Sequence, residues 1–384
     1  MEKYKYEDVV EKEYNLAERK SGKNIYQQRE ANYDLLRVIC TVAVIMIHVS
    51  HIYKNAITEA SFFGQLYTEH TIIILLYNVL PRFTVPCFVM LSGAFLLSDD
   101  RNSDYRFFYK KSIKNIGIPT IVFTCLYFLY SELLACYQIL TMGGDLYTII
   151  EPFISVIKGV PLYHMWYLYT LIGIYFLVPV ILNIKKNIGE NAFLKLSVIM
   201  LIVTSISGWT SSFDLEWSIS KSICYIGYLM MGFQLRKFFI NRKNNWKGIL
   251  LIFFGILTEL VLTFIEYKNI QNGITELDVK YSIVGNFNPL VVVASLLFFS
   301  GFSSLNIDIN LTKLSAKTLY IYLFHAGVLD LVSRVIRRIG IEGDCRIIIP
   351  ITILFVFTIA HILSAIYINL WKKMEQKFSG LSHK

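Results

Sequence analysis

Apolar runs of about 20 residues recur from residue 33 to residue 371, separated by short polar connections. Wound as a helix rising 1.5 Å per residue, a run of that length crosses the ~30 Å hydrocarbon core of a bilayer. Hydrocarbon leaves each backbone N–H and C=O to be paired within its own segment, so such runs fold as helices. Ten candidate spans follow, at 33–53, 71–97, 113–136, 164–183, 194–210, 219–235, 247–266, 286–302, 314–333 and 347–371. A stretch at 147–157 stops at Lys158, too short to cross, and is expected as an interfacial or re-entrant segment. A mean hydropathy of +0.50 with 17% charged residues agrees with the membrane class. The expected fold is therefore all-α, a polytopic integral membrane bundle of about ten transmembrane helices. Residues 1–32 read as a polar cytoplasmic tail with no signal-peptide core, 33–371 as one transmembrane domain and 372–384 as a second cytoplasmic tail.

The net charge of +9 would suit a nucleic-acid partner if it formed one patch. Instead Lys and Arg gather in alternate connections, at 98–114, 185–195, 236–247 and 372–384, and in the first tail. That is the positive-inside asymmetry, which puts both termini in the cytoplasm and excludes nucleic acid as the expected partner. The connection 334–346 departs from it, holding Arg334, Arg337, Arg338 and Arg346 on the side assigned as external. The six cysteines show neither CxxC nor paired zinc-type spacing, so buried small hydrophobes are expected, with no disulfide framework and no metal site.

Within the first span, Arg37 and His48 are eleven residues apart. That is close to three helical turns, so both lie on one face, separated by ~16 Å along the axis. Asp34 sits a turn before Arg37, Thr41 and Val44 lie between, and His51 follows a turn after His48. An ionisable group facing lipid near the bilayer centre costs ~2.5–3.5 kcal/mol, so the stripe must face protein or a water-filled space. Two readings of the pair stand on the residues alone. Arg37 snorkels toward the cytoplasm with Asp34 as partner and His48 is a packed core histidine, or the stripe lines a functional site.

Other polar groups fall inside or beside spans. Pro81, Arg82, Pro86 and Ser92-Gly93 interrupt the second, and Arg82 is either a lipid-headgroup anchor or a substrate contact. Lys110, Lys111 and Lys114 form a basic segment that either anchors the third span or docks phosphate groups. His164 opens the fourth span, binding an acceptor or fixing a loop, and Trp166 beside it reads as an interfacial belt residue. His325 in the ninth span is cavity-lining or a packing histidine. His361 is expected to be structural, and His51 and His70 to lie at the interface or in solvent. Glu132 and Glu259 leave open a transporter or exporter of a glycan or small acyl-containing substrate.

The stretch YDLLRVICTVAVIMIH, residues 33–48, resembles the D-x-x-R-x10-H signature that opens the membrane acyltransferase-three family. Four further stretches are similar to that family in order: PRFTVPCFVMLSGAFLL (81–97), YKKSIKNIGIP (109–119), HMWYLYTLIGIYFLVPV (164–180) and LSAKTLYIYLFH (314–325). Where the family usually carries arginines, this chain has Lys111 and Lys114, which lack the bidentate geometry of a guanidinium. The resemblance implies an O-acyltransferase of the cell membrane, most often an O-acetyltransferase. Acetyl-CoA or another acyl-CoA would be donor substrate, with no bound cofactor, and a cell-surface glycan or lipid-linked sugar the acceptor. It implies His48 and Arg37 as the catalytic pair and Lys110, Lys111 and Lys114 as the acyl-CoA contacts. Asp34, Arg82, Ser92, His164, Trp166 and His325 would then bind substrate or line the cavity.

Overall fold

The computed structural model describes residues 30–62, 68–142, 146–207, 218–272, 285–339 and 344–381. Most of the expected N-terminal tail, parts of the connections at 54–70, 211–218 and 334–346, and the end of the C-terminal tail lie outside them. Among the described residues there are helices and connections but no strand. The helices are α1 (Ala31–Phe62), α2 (Thr68–Val79), α3 (Thr84–Leu96), α4 (Tyr105–Ser112), α5 (Ile118–Met142), α6 (Leu146–Ile157), α7 (Trp166–Ile188) and α8 (Glu190–Ser207). They continue as α9 (Ile226–Phe239), α10 (Asn245–Gln271), α11 (Pro289–Ser304), α12 (Thr312–Ser315), α13 (Thr318–Ile339) and α14 (Cys345–Leu381).

Seven segments among the described residues are long and apolar enough to cross a membrane: Ala31–Tyr53, His70–Leu96, Tyr105–Thr141, Trp166–Ile188, Asn245–Gln271, Thr318–Ile336 and Cys345–Met374. The other three expected spans are helical too, as α8, α9 and α11 of 18, 14 and 16 residues, but are not among those seven. A 3-10 turn at Ser220–Tyr225 leads directly into α9 and lengthens its helical path. The segment at 147–157 forms the short helix α6, with Pro152 inside it.

The second expected span is not one helix. Pro81 lacks an N–H and its ring crowds the preceding turn, so the chain turns at Leu80–Phe83 and restarts as α3. Arg82 closes the break, its Nε donating to the Asn78 carbonyl at 3.1 Å and its Nη2 to Asn78 Oδ1 at 2.6 Å. A cation at a helix C-terminus satisfies carbonyls that have no partner further along the helix. A π turn at Ile113–Gly117 joins α4 to α5 and offsets the register of Lys114 from that of Lys110 and Lys111.

Helix α1 lies at the centre, packed against α2, α3, α13 and α14. Its face at Tyr33, Leu36, Cys40 and Val44 enters the largest apolar core, with α3, α7 and α9. Ile45 and Val49 enter a second core built with α2, α13 and α14. Helices α3 and α9 cross with their backbones in contact. A Cβ on Gly93 would fall 1.7 Å from the Leu229 carbonyl oxygen, and one on Gly232 2.0 Å from that of Met90. Packing of this closeness holds membrane helices together where hydrocarbon supplies no hydrophobic drive.

The basic connections meet at one end of the bundle. Arg236 donates to Glu30 Oε1 at 2.7 and 3.0 Å and to Ser98 Oγ at 2.9 Å. Lys243 lies 3.8 Å from Glu30, and Lys185 lies 3.6 Å from Asp100 and donates to the Leu97 carbonyl. The exceptional arginines of 334–346 lie at the other end. Arg334 pairs with Asp330 at 2.8 Å and Arg346 with Asp344 at 2.8 Å, so two of the four are neutralised within a turn. The Arg337 side chain lies outside the described residues.

Candidate functional site

The polar stripe of α1 faces protein from Asp34 to His48 and reaches the surface at His51. Asp34, Thr41 and Val44 are buried. At the Arg236 end, Arg37 Nη1 donates to Asp34 Oδ1 at 3.4 Å and to Ser315 Oγ at 3.2 Å, while Ser315 Oγ donates to the same Asp34 oxygen at 2.6 Å. Ser315 ends α12, so this triad fastens α1 to the segment leading into α13. The guanidinium also stands over the Phe95 ring of α3, 5.8 Å from its centroid. The Arg37 side chain keeps 27% of its surface exposed against 4% for Asp34, so the cation remains accessible while its carboxylate does not.

Three turns on, α1 brings His48 to two other imidazoles. Its ring centroid is 5.3 Å from that of His325 on α13, and His325 is 5.1 Å from His164, just before α7. His164 and His325 are fully buried, whereas His48 is half-buried. The Nδ1 of His325 lies 2.5 Å from the Tyr322 carbonyl. A carbonyl only accepts, so Nδ1 carries the proton and the buried Nε2 is left as an acceptor inside the cluster. Nε2 of His325 has no hydrogen-bond partner among the described residues. Tyrosines hold the surrounding backbone: Tyr322 donates to the His164 carbonyl and Tyr127 to that of Leu323, both at 2.5 Å. Tyr163 lies against His48 at 4.9 Å between centroids.

The remaining expected residues fall around this axis. Ser92 on α3 is half-buried, donates to the Phe88 carbonyl at 3.2 Å and adjoins Tyr175 of α7, which is within electrostatic reach of Arg37. Arg82 occupies the α2–α3 break, within electrostatic reach of both His48 and the buried Glu259 of α10. Trp166 is half-buried, packing edge-on to Tyr167 at 6.1 Å and near Tyr225 at 6.4 Å. His164 does sit at a helix boundary, but buried within the bundle. His51 is exposed.

Lys110, Lys111 and Lys114 are exposed on α4 and the π turn. That segment docks on α7 through the Phe108–Tyr175 contact at 5.9 Å and the stacked Tyr109–Phe176 pair at 5.6 Å. Tyr175 thus stands between the lysine-bearing helix and the Ser92–Arg37 region. In the neighbouring connection, a side-chain hydrogen bond from Arg101 holds the Asp99 carboxyl below its ordinary value, and Lys111 acts in the same direction. Ser315 is the residue that motif reading missed; it lies within LSAKTLYIYLFH but carries no distinctive chemistry until α12 sets it against Asp34.

A conserved-domain description, an acyltransferase domain, matches residues 30–370, from the residue before α1 into the body of α14. No curated protein and no solved structure matches the chain. The matched region contains the α1 stripe, the three imidazoles and the lysine-bearing segment within one helical membrane bundle. The chain belongs to the acyltransferase-3 family and is a membrane acyltransferase.

Proposed function

We propose that the protein is an O-acyltransferase of the cell membrane, with acetyl as its acyl group. It takes that group from acyl-CoA at the Arg37 end and passes it to a hydroxyl of a glycan or lipid-linked sugar at the His48 end. The observation that carries this reading is the placement of an accessible cation and a cluster of three imidazoles on one face of α1. The end that gathers Arg236, Lys185 and Lys243 then faces the cytoplasm, where acyl-CoA is available.

In this mechanism Lys110, Lys111 and Lys114 hold the coenzyme's phosphates by charge-assisted bonds. Arg37, ~16 Å along the axis from His48, positions the donor rather than stabilising an oxyanion. His48 takes the proton of the acceptor hydroxyl as its oxygen attacks the thioester carbonyl. The C–S bond breaks as the ester C–O bond forms, and the leaving thiolate receives the proton back from His48. An acyl-histidine relay would use the same residue as nucleophile. Arg82, Ser92, His164, Trp166 and His325 would line the acceptor's approach.

The test is transfer of labelled acetyl from acetyl-CoA to candidate glycans by the purified protein in vesicles, with His48→Ala beside it. Transfer that depends on His48 supports the proposal. Vesicle flux without transfer supports an exporter, the reading favoured by Glu259, a carboxyl fully buried within α10. Comparison of ester-linked acyl groups on surface glycans with and without the protein identifies the acceptor.

A further inference from the structure

We propose that His70, Asp344 and Cys345 form a zinc site that pins the start of α2 to the start of α14. One ligand atom from each of the three side chains lies within 4.8 Å of the other two. They come from opposite ends of the sequence: His70 from the first turn of α2, Cys345 from the first residue of α14, and Asp344 from the position before it. This explains why no spacing motif announces them. The site lies at the end of the bundle away from the Glu30–Arg236 pair, and it has no part in the proposed acyl transfer.

The donor set selects the metal. Thiolate, imidazole and carboxylate together suit Zn²⁺, which accepts three protein ligands and keeps a fourth position for water. Calcium and magnesium take oxygen ligands and are disfavoured by sulfur. Cys345 is 5% exposed, at the edge of the apolar core formed with Ile45, Val49, Ile74 and Ile349.

Asp344 already has two duties: Oδ1 accepts from the Arg346 amide at 2.8 Å, and Arg346 Nε lies 3.1 and 2.8 Å from its two oxygens. A carboxylate offers about four lone-pair sites, so a single bond to zinc is compatible with both. Zinc–ligand distances of about 2.0–2.3 Å require the three atoms to draw together by about 1 Å from the 4.8 Å limit, within reach of side-chain rotation. A bound ion would clasp two of the helices that enclose the second core, beside the part of α1 that carries His48.

The test uses the full chain in detergent, purified without a histidine tag. After equilibration with zinc and removal of excess, elemental analysis should find one zinc per chain. Cobalt substituted for zinc should show thiolate charge-transfer absorption. Cys345→Ser should lose that band, and His70→Ala and Asp344→Asn should each weaken zinc binding at least about tenfold. Zinc should also protect Cys345 of the unaltered protein from alkylation, read by mass spectrometry, which keeps the test valid if Cys345→Ser fails to fold. Zinc content no higher than background, a charge-transfer band that survives Cys345→Ser, or alkylation of Cys345 at the same rate with and without zinc overturns the site.

Discussion

The His48 and His325 imidazoles stand 5.3 Å apart between centroids, one on α1 and the other on α13. Because the Tyr322 carbonyl fixes the proton of His325 on Nδ1, the Nε2 lone pair is left as an acceptor inside the cluster beside His48. His48→Ala should lower kcat by about 10²–10⁴-fold, the range for a general base. His325→Ala should lower kcat less and leave KM for acyl-CoA unchanged. Steady-state transfer kinetics separate these effects. A raised KM with unchanged kcat would instead place His325 in binding.

The Arg37–Asp34–Ser315 triad predicts a different signature. Ser315→Ala removes the hydroxyl shared by the ion pair and should destabilise the protein by about 1 kcal/mol. It should also raise KM for acyl-CoA with little change in kcat, because Arg37 would lose orientation rather than charge. Asp34→Ala should cost more, about 1–3 kcal/mol, by leaving the cation without its carboxylate. Thermal denaturation in detergent and the KM–kcat split check both.

If Lys110, Lys111 and Lys114 hold the donor as proposed, their exposure predicts a donor step sensitive to salt. Replacing Lys110, Lys111 and Lys114 together with Gln should raise KM for acyl-CoA about tenfold and flatten its ionic-strength dependence. Asp99→Asn, which removes a carboxylate within reach of Lys111, should move KM the other way.

The same Asp99 carries a pH prediction. Arg101 holds its folded-state value below the ordinary 3.8, so its contribution is complete above 3.8 and fades only as pH falls through the depressed value. Hydrogen exchange at the Arg101 amide, which donates to Asp99 Oδ1 at 3.2 Å, should stay protected down to about pH 4. Asp99→Asn should weaken that protection already at neutral pH.

The α3–α9 crossing sets the tolerance for bulk. Gly93→Ala or Gly232→Ala places a methyl inside the contact distance of a facing carbonyl, and the helices must separate to admit it. A loss of at least about 1–3 kcal/mol is expected, read as a lowered Tm.

Helical class, the shared face of Arg37 and His48, and the gathering of basic connections at one end could be read from periodicity and charge. Those properties depend on spacing within a helix or on composition of a loop. The break at Leu80–Phe83 was signalled by Pro81, yet a proline alone does not distinguish a kink from two separate helices. The π turn at Ile113–Gly117 has no composition that marks it. His164 and His325 were visible as residues, but their meeting with His48 depends on how α7 and α13 pack about α1. Ser315, His70 and Cys345 acquire their significance only from neighbours distant in sequence.

Helix α1 continues without a break from Ala31 to Phe62, so Arg37 and His48 are joined by a rigid rod rather than by a flexible chain. In the proposed transfer the rod acts as a ruler: its length sets how far a donor held at Arg37 would extend to present its acyl group at His48. Adding or deleting one residue between them would shift the distance by only ~1.5 Å but swing His48 through ~100°, away from His325. Reach could be changed in small steps; alignment could be kept only by inserting whole turns.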